Sequence, residues 1–126
     1  MTARSQTLLI AEGGSQLSQS LGPWLEEAGC CVKCVNSIKD AFITVQSEKV
    51  NVLVMDASLA EGMGYEAISI IKGLCRNLLI IIATEENNPE LEGRIRQKGI
   101  FYYHVKSFGM EELMLAISNA LKRTSW

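Results

Sequence analysis

Along the chain, short apolar runs alternate with longer stretches in which apolar residues recur every three or four positions. The short runs predict strands near Thr7 to Ala11, Cys31 to Val35, Val50 to Met55, Leu78 to Ala83 and Phe101 to Val105. The stretches between them predict helices. The first, from Ser15 to Ala28, sets Leu17, Leu21, Trp24 and Leu25 on one stripe and stops at Gly29; Pro23 inside it is expected to kink it or delay its start. The second, Ser37 to Glu48, opens on a serine cap and turns Ile38, Ala41, Phe42 and Val45 inward. A third begins after Gly64 and carries Ala67, Ile68, Ile71 and Leu74. The fourth, Pro89 to Lys98, is polar and weakly amphipathic and ends at Gly99. The last, Met110 to Lys122, carries Leu113, Ala116, Ile117 and Leu121, with basic residues at the end that suits the helix dipole.

Strands alternating with helices predict βαβ units and a parallel sheet. No linker or repeat breaks the series, so residues 1–126 are read as one domain, long enough to bury roughly two thirds of its unfolded surface. The fold class expected is α/β, a flavodoxin-like doubly wound sheet of five parallel strands in the order 2-1-3-4-5 with five helices.

Composition narrows the partners. Hydrophobic residues make up 48% and charged residues 21%, which suits a folded domain. A formal charge of −2 with interspersed signs gives no electrostatic case for nucleic acid or an anionic membrane. The apolar stretch Leu78 to Ala83 is far short of the ~20 residues a membrane span needs. Residues 2–6 lack the apolar core of a signal peptide, so a cytoplasmic protein is expected. Of the four cysteines, Cys30, Cys31 and Cys34 lie close together and Cys75 apart, with neither a paired CxxC repeat nor a Cys/His cluster around the single histidine, His104. Their alternation with Val32, Lys33 and Val35 suggests a strand with one buried face and small buried thiols rather than a metal site.

Candidate chemistry sits at the strand ends. Glu12, Asp56, Thr84 and Lys106 each follow an apolar run directly, and in a doubly wound sheet ligands bind outside the carboxyl ends of the strands. With the first and third strands adjacent, Glu12 and Asp56 would approach one another and call for a cation, supplied by Lys106 and by a hard divalent ion such as Mg²⁺. Singly, each has a plainer reading: Asp56 as a helix cap, Thr84 as a loop cap, Lys106 as a solvated charge, Glu12 as a partner of Lys106. Gly13-Gly14-Ser15 before a helix invites a phosphate-cradle reading, but the full dinucleotide fingerprint is missing and Glu12 would repel a phosphate. No G-x-S-x-G elbow is present and His104 has no evident nucleophile partner.

Taken together these residues resemble the receiver domains of bacterial two-component response regulators, over essentially the whole chain. The resemblance implies a signalling switch rather than an enzyme. Asp56 matches the aspartate that accepts a phosphoryl group from a histidine kinase or phosphotransfer protein, in a Mg²⁺-dependent reaction. Thr84 matches the family's hydroxyl residue, Lys106 its lysine and Tyr103 its aromatic switch position. Gly64, Glu66 and Gly99 match its glycine and acid after the phosphorylation loop and its glycine closing the fourth helix. Ser58 and Glu86 match positions that govern phosphoryl lifetime, and the Ser58 carbonyl would join Glu12 and Asp56 as a metal ligand. The face of the fourth helix, fifth strand and fifth helix would pass the signal to an output domain, a partner protein or a second copy in a homodimer.

Three departures bear on this reading. The family has two adjacent acids at the first strand, where this chain has Glu12 and Gly13, so Mg²⁺ binding is expected to be weak. Ser107 stands where the family has proline after its lysine; a cis Lys106–Ser107 peptide would cost about 2.5–4 kcal/mol without proline, and a trans one would re-aim Lys106. The loop Ala57 to Met63 lacks the family's proline and the aspartate before Gly64, and is expected to be more mobile. The alternative function is therefore a degenerate receiver, a docking or dimerisation module that works without phosphate.

Overall fold

A computed structural model describes residues 6–63 and 65–124. The elements run β1 (Thr7–Ala11), α1 (Gln16–Glu27), β2 (Cys31–Val35), α2 (Ile38–Ser47), β3 (Val52–Asp56), α3 (Ala57–Ala60), α4 (Glu66–Leu74), β4 (Leu79–Thr84), α5 (Pro89–Arg96), β5 (Tyr102–Val105) and α6 (Met110–Arg123). The five strands form one sheet in the order β2-β1-β3-β4-β5, with every pair parallel. This is the expected flavodoxin-like topology. The four-residue α3 is additional, so the fourth and fifth helices expected from the sequence are α5 and α6.

Strict alternation explains why the central strands are apolar throughout. Leu9, Leu53, Met55, Ile80, Ile82 and Tyr103 turn to one face, where they meet Ala41 and Val45 of α2, Ala67, Ile68 and Ile71 of α4 and Ile95 of α5. Leu8, Ile10, Val52, Val54, Ile81 and Ala83 turn to the other, against Leu17, Leu21 and Leu25 of α1 and Leu113, Ile117 and Ala120 of α6. A strand covered on both faces needs hydrophobes at every position. β5 divides the same way: Tyr103 joins the first layer, while Tyr102 and His104 turn toward α6.

Three local expectations are corrected. Pro23 stands inside α1 without delaying its start, because the N–H it lacks falls on the exposed side of the helix and leaves the Leu17-Leu21-Leu25 stripe intact. β2 has no fully buried residue, and Cys31 and Cys34 are exposed, since an edge strand has a neighbour on one side only; only Cys30, just before it, is buried. Residues three apart on a strand face opposite ways, so Cys31 and Cys34 cannot share one ion. The segment Ala57 to Met63, expected as a loose loop, is α3 followed by a 3₁₀ turn over Glu61–Met63. The glycine match at Gly64 lies outside the described residues. Gly99, at φ 87°, closes the fourth expected helix in the left-handed region that glycine enters without strain.

Glu12 shapes the start of α1. Ser15, the cap position, makes no side-chain cap bond; instead the buried Glu12 carboxylate accepts the N–H groups of Leu17 and Ser18, both at 2.9 Å. Both oxygens thereby serve orphan donors of the first turn and meet the positive end of its dipole. Replacing Glu12 with alanine is expected to cost about 0.5–2 kcal/mol, the range for a lost N-cap. Urea unfolding of Glu12→Ala beside Glu12→Gln checks this: the amide keeps an acceptor and should lose less, and an unchanged midpoint for the alanine variant would contradict the capping role.

Candidate functional site

The sheet register sets the site. Asp56 is paired with Ala83 and Thr84 with Val105, so Asp56, Thr84 and Lys106 step across the carboxyl ends of β3, β4 and β5. Lys106 Nζ donates to Asp56 Oδ2 at 2.5 Å and to Glu85 Oε1 at 3.3 Å. Asp56 Oδ1 accepts the Ser58 N–H at 3.0 Å and so caps α3. The plain reading of Asp56 as a helix cap and its reading as the partner of a lysine thus hold together, one oxygen for each. All peptides among the described residues are trans, Lys106–Ser107 included, and Lys106 still reaches Asp56.

The pair is electrostatically matched. Partial burial pushes the Asp56 carboxyl up, but the Lys106 hydrogen bond and the Ser58 contacts outweigh it and hold the group below its ordinary 3.8. For Lys106, burial pushes down, and the bonds to Asp56 and Glu85 reverse this and raise it above 10.5. The Asp56 contribution to stability is therefore present above pH 3.8 and lost as pH falls through the lower folded value; that of Lys106 is present below 10.5 and lost as pH rises through the raised folded value.

Thr84 is 5% exposed, and its Oγ1 accepts the Glu86 N–H at 3.3 Å. Tyr103 is turned inward at 4% exposure, and its hydroxyl makes no hydrogen bond. Burial raises the pKa of its phenol, and the Thr84 hydroxyl, close by but outside hydrogen-bond geometry, opposes this only in part. A buried donor without an acceptor costs about 1–3 kcal/mol, so this inward position carries a penalty.

Two residues predicted from the sequence are not gathered with Asp56. Glu12 faces the first turn of α1, as above. Glu86 lines a cleft with Glu61, Tyr65 and Arg94, on the α5 side. The acid that does reach the lysine is its neighbour Glu85, which the sequence reading passed over; side-chain direction after a strand end depends on the loop path, and adjacent acids look alike in sequence. His104, expected to have no nucleophile partner, turns toward α6. It is 1% exposed beneath α6, with Nδ1 3.8 Å from Glu112 Oε1, the same oxygen to which Tyr102 donates at 2.5 Å. That bond, with burial, pushes the Tyr102 phenol up to about 12.

The carboxylates that meet at Lys106, and could serve a hard divalent cation, are those of Asp56 and Glu85. No group of three or more His, Cys, Asp or Glu side chains converges as a metal cage among the described residues. Mg²⁺ keeps several waters and is commonly held by one or two carboxylates, so this set fits a largely hydrated ion.

Two measurements probe this geometry. In Lys106→Met the largest lowering influence is lost while the Ser58 contacts remain, so the Asp56 carboxyl, followed by ¹³C NMR titration, should titrate higher than in the unaltered chain; an unmoved midpoint would remove Lys106 as the cause. Tyr103→Phe deletes the unpartnered hydroxyl and should leave stability unchanged or raise it by about 1 kcal/mol in urea unfolding, whereas a clear loss would reveal a bond to that hydroxyl.

The family model of the response regulator receiver domain matches residues 8–118. No curated protein sequence matches the chain. Among solved structures, a receiver domain protein from Methanospirillum hungatei superposes with a TM-score of 0.85 at 19% identity, covering 96% of this chain and 97% of its own. A response regulator from Thermotoga maritima gives 0.82 at 17% identity, covering 94% and 99%. One from Burkholderia pseudomallei, solved with a phosphorylated aspartic acid, a calcium ion and citrate, gives 0.79 at 19% identity, covering 96% and 72%. At such identities the superpositions speak for the fold. Receiver domains in general bind Mg²⁺, work with histidine kinases or phosphotransfer proteins and output domains, and serve signalling rather than enzymatic roles, and among the described residues no helix is long and apolar enough to cross a membrane. With its sequence matched over 8–118 and its five strands in the order β2-β1-β3-β4-β5, this chain belongs to the response regulator receiver family.

Proposed function

We propose that residues 1–126 act as one receiver module and a phosphoacceptor switch, with Asp56 taking a phosphoryl group from a histidine kinase or phosphotransfer protein. The observation that carries this reading is the contact of Lys106 with Asp56 across the ends of β5 and β3, with Thr84 at the end of β4 between them. With its pKa held low, Asp56 is a carboxylate at neutral pH and attacks without a base. An Asp56 oxygen bonds to phosphorus as the donor's P–N bond breaks, and the electron pair stays on the donor nitrogen. Charge gathers on the transferring oxygens, and positioning with electrostatic stabilisation supplies most of the catalysis. Lys106 is the fixed cation for that charge, and the Thr84 hydroxyl and Ser58 N–H are the nearby donors. Mg²⁺, when bound, adds positive charge at the same oxygens; with Glu12 engaged on α1 and Gly13 lacking a side chain, its affinity is weak.

Readout follows from Tyr103. Its inward position leaves a hydroxyl without an acceptor, so the balance between inward and outward positions is tuned within a few kcal/mol, the range a Thr84 shift toward a phosphoryl group can tip. We place the signal-bearing face on α5, β5 and α6, where an output domain, a partner protein or a second copy would dock. Ser58 and Glu86 are assigned to phosphoryl lifetime, Ser58 from its place beside Asp56 and Glu86 from the β4 exit loop.

One observation favours the second reading, a docking or dimerisation module without phosphate: Glu12 is a helix cap, not a partner of Asp56. Intact-protein mass after incubation with acetyl phosphate, with and without Mg²⁺ and beside Asp56→Asn, separates the two. The switch reading expects a phosphoryl adduct that needs Mg²⁺ at high concentration and is absent from the variant. A folded protein that stays unmodified at saturating Mg²⁺ would sink it and leave the docking module.

A further inference from the structure

At the amino edge of the sheet, opposite the Asp56 edge, a cleft of about 530 Å³ opens between the turns that enter β3 and β4 and the end of α6. Lys49, Asn51, Arg76, Asn77, Leu79 and Arg123 line it, and no acidic residue does. Three cationic residues therefore surround one concavity on a chain whose formal charge is −2. Lys49 and Arg76 form no ion pair with any described carboxylate. Glu48, the acid beside Lys49, is taken by Lys33 at 2.8 Å. The Arg123 guanidinium lies over the Phe101 ring, 5.7 Å from its centroid, a face contact that leaves its in-plane donors available.

The walls are held in place. Lys72 Nζ donates to the carbonyls of Arg76 and Leu78, at 2.8 and 2.6 Å, and clamps the turn that carries Arg76 and Asn77. Asn51 Oδ1 accepts the Thr7 N–H at 2.8 Å, so its side-chain NH₂ remains a donor. A concave surface of one sign concentrates counter-ions, and guanidinium forks match phosphate oxygens two at a time. The volume lies within the roughly 300–1,000 Å³ of small-molecule sites. From these features we infer that the cleft binds a small phosphorylated molecule carrying a diphosphate group. Lys49, Arg76 and Arg123 contact its oxygens, and the Asn51 and Asn77 amides complete the donor set. The inference is independent of whether Asp56 is phosphorylated.

The test is a ¹⁵N–¹H NMR titration of the full chain with inorganic pyrophosphate at constant ionic strength, beside citrate. Saturable shifts at Asn51, Asn77 and Thr124, with Ser58 and Thr84 unmoved, are expected. The Lys49→Ser/Arg76→Ser variant, altered at two exposed residues, should bind about tenfold more weakly or worse, and Arg76→Lys should lose affinity while keeping its charge. Shifts that never saturate, shifts centred on Asp56, affinity unchanged in a folded double variant, or citrate held as tightly as pyrophosphate would each overturn the assignment.

Discussion

Burial of the sheet on both faces is the constraint from which the rest of this structure follows. Once α1 and α6 cover one side and α2, α4 and α5 the other, nearly every side chain of β1, β3 and β4 must be apolar. Polar chemistry is then confined to the two edges where the strands begin and end. Parallel strands send all their carboxyl ends to one edge, so the residues that follow them meet there whatever their distance in sequence. Asp56 and Lys106 are 50 positions apart and share a hydrogen bond for that reason.

Within that edge, the charged pair at its centre is restrained by shared partners. Asp56 divides its oxygens between Lys106 and the start of α3, and Lys106 divides its protons between Asp56 and Glu85. Paired this way, the charges tolerate partial burial, since each offsets the desolvation of the other. Two buried atoms of β5 have no hydrogen-bond partner: His104 Nδ1, beneath α6, and the Tyr103 hydroxyl. A group in the second position lowers the energetic separation between alternative arrangements, and it lies beside Thr84, at the joint between the charged edge and the apolar layer beneath α5.

Much of this could be read from the residues themselves. The strands at Thr7–Ala11 and Cys31–Val35 fall where their apolar runs lie, and α1, α2, α5 and α6 start and stop within a residue or two of the capping and glycine signals. Pro23 misled because its local cost, a lost bond and a crowded carbonyl, is offset here by the buried Leu17-Leu21-Leu25 stripe, with the freed Gln19 carbonyl on the exposed side, and sequence does not say which side of the helix faces water. The cysteines of β2 misled because alternation reports a face, while exposure depends on whether the strand has one neighbour or two. The choice between Glu85 and Glu86 was likewise out of reach, since it rests on the path of the loop after β4.

The sequence by itself determined the alternation of elements, the parallel sheet and the placing of Asp56, Thr84 and Lys106 at strand ends, because hydrophobic periodicity and chain order are local properties. Only the tertiary structure decided what Glu12 does. Its carboxylate could turn toward Asp56 or toward α1, and two orphan N–H groups at a helix start, close in space and aligned with the helix dipole, hold it on α1. The tertiary structure likewise brought Lys49, Arg76 and Arg123 around one cleft, a convergence of residues up to 74 positions apart that no local pattern encodes.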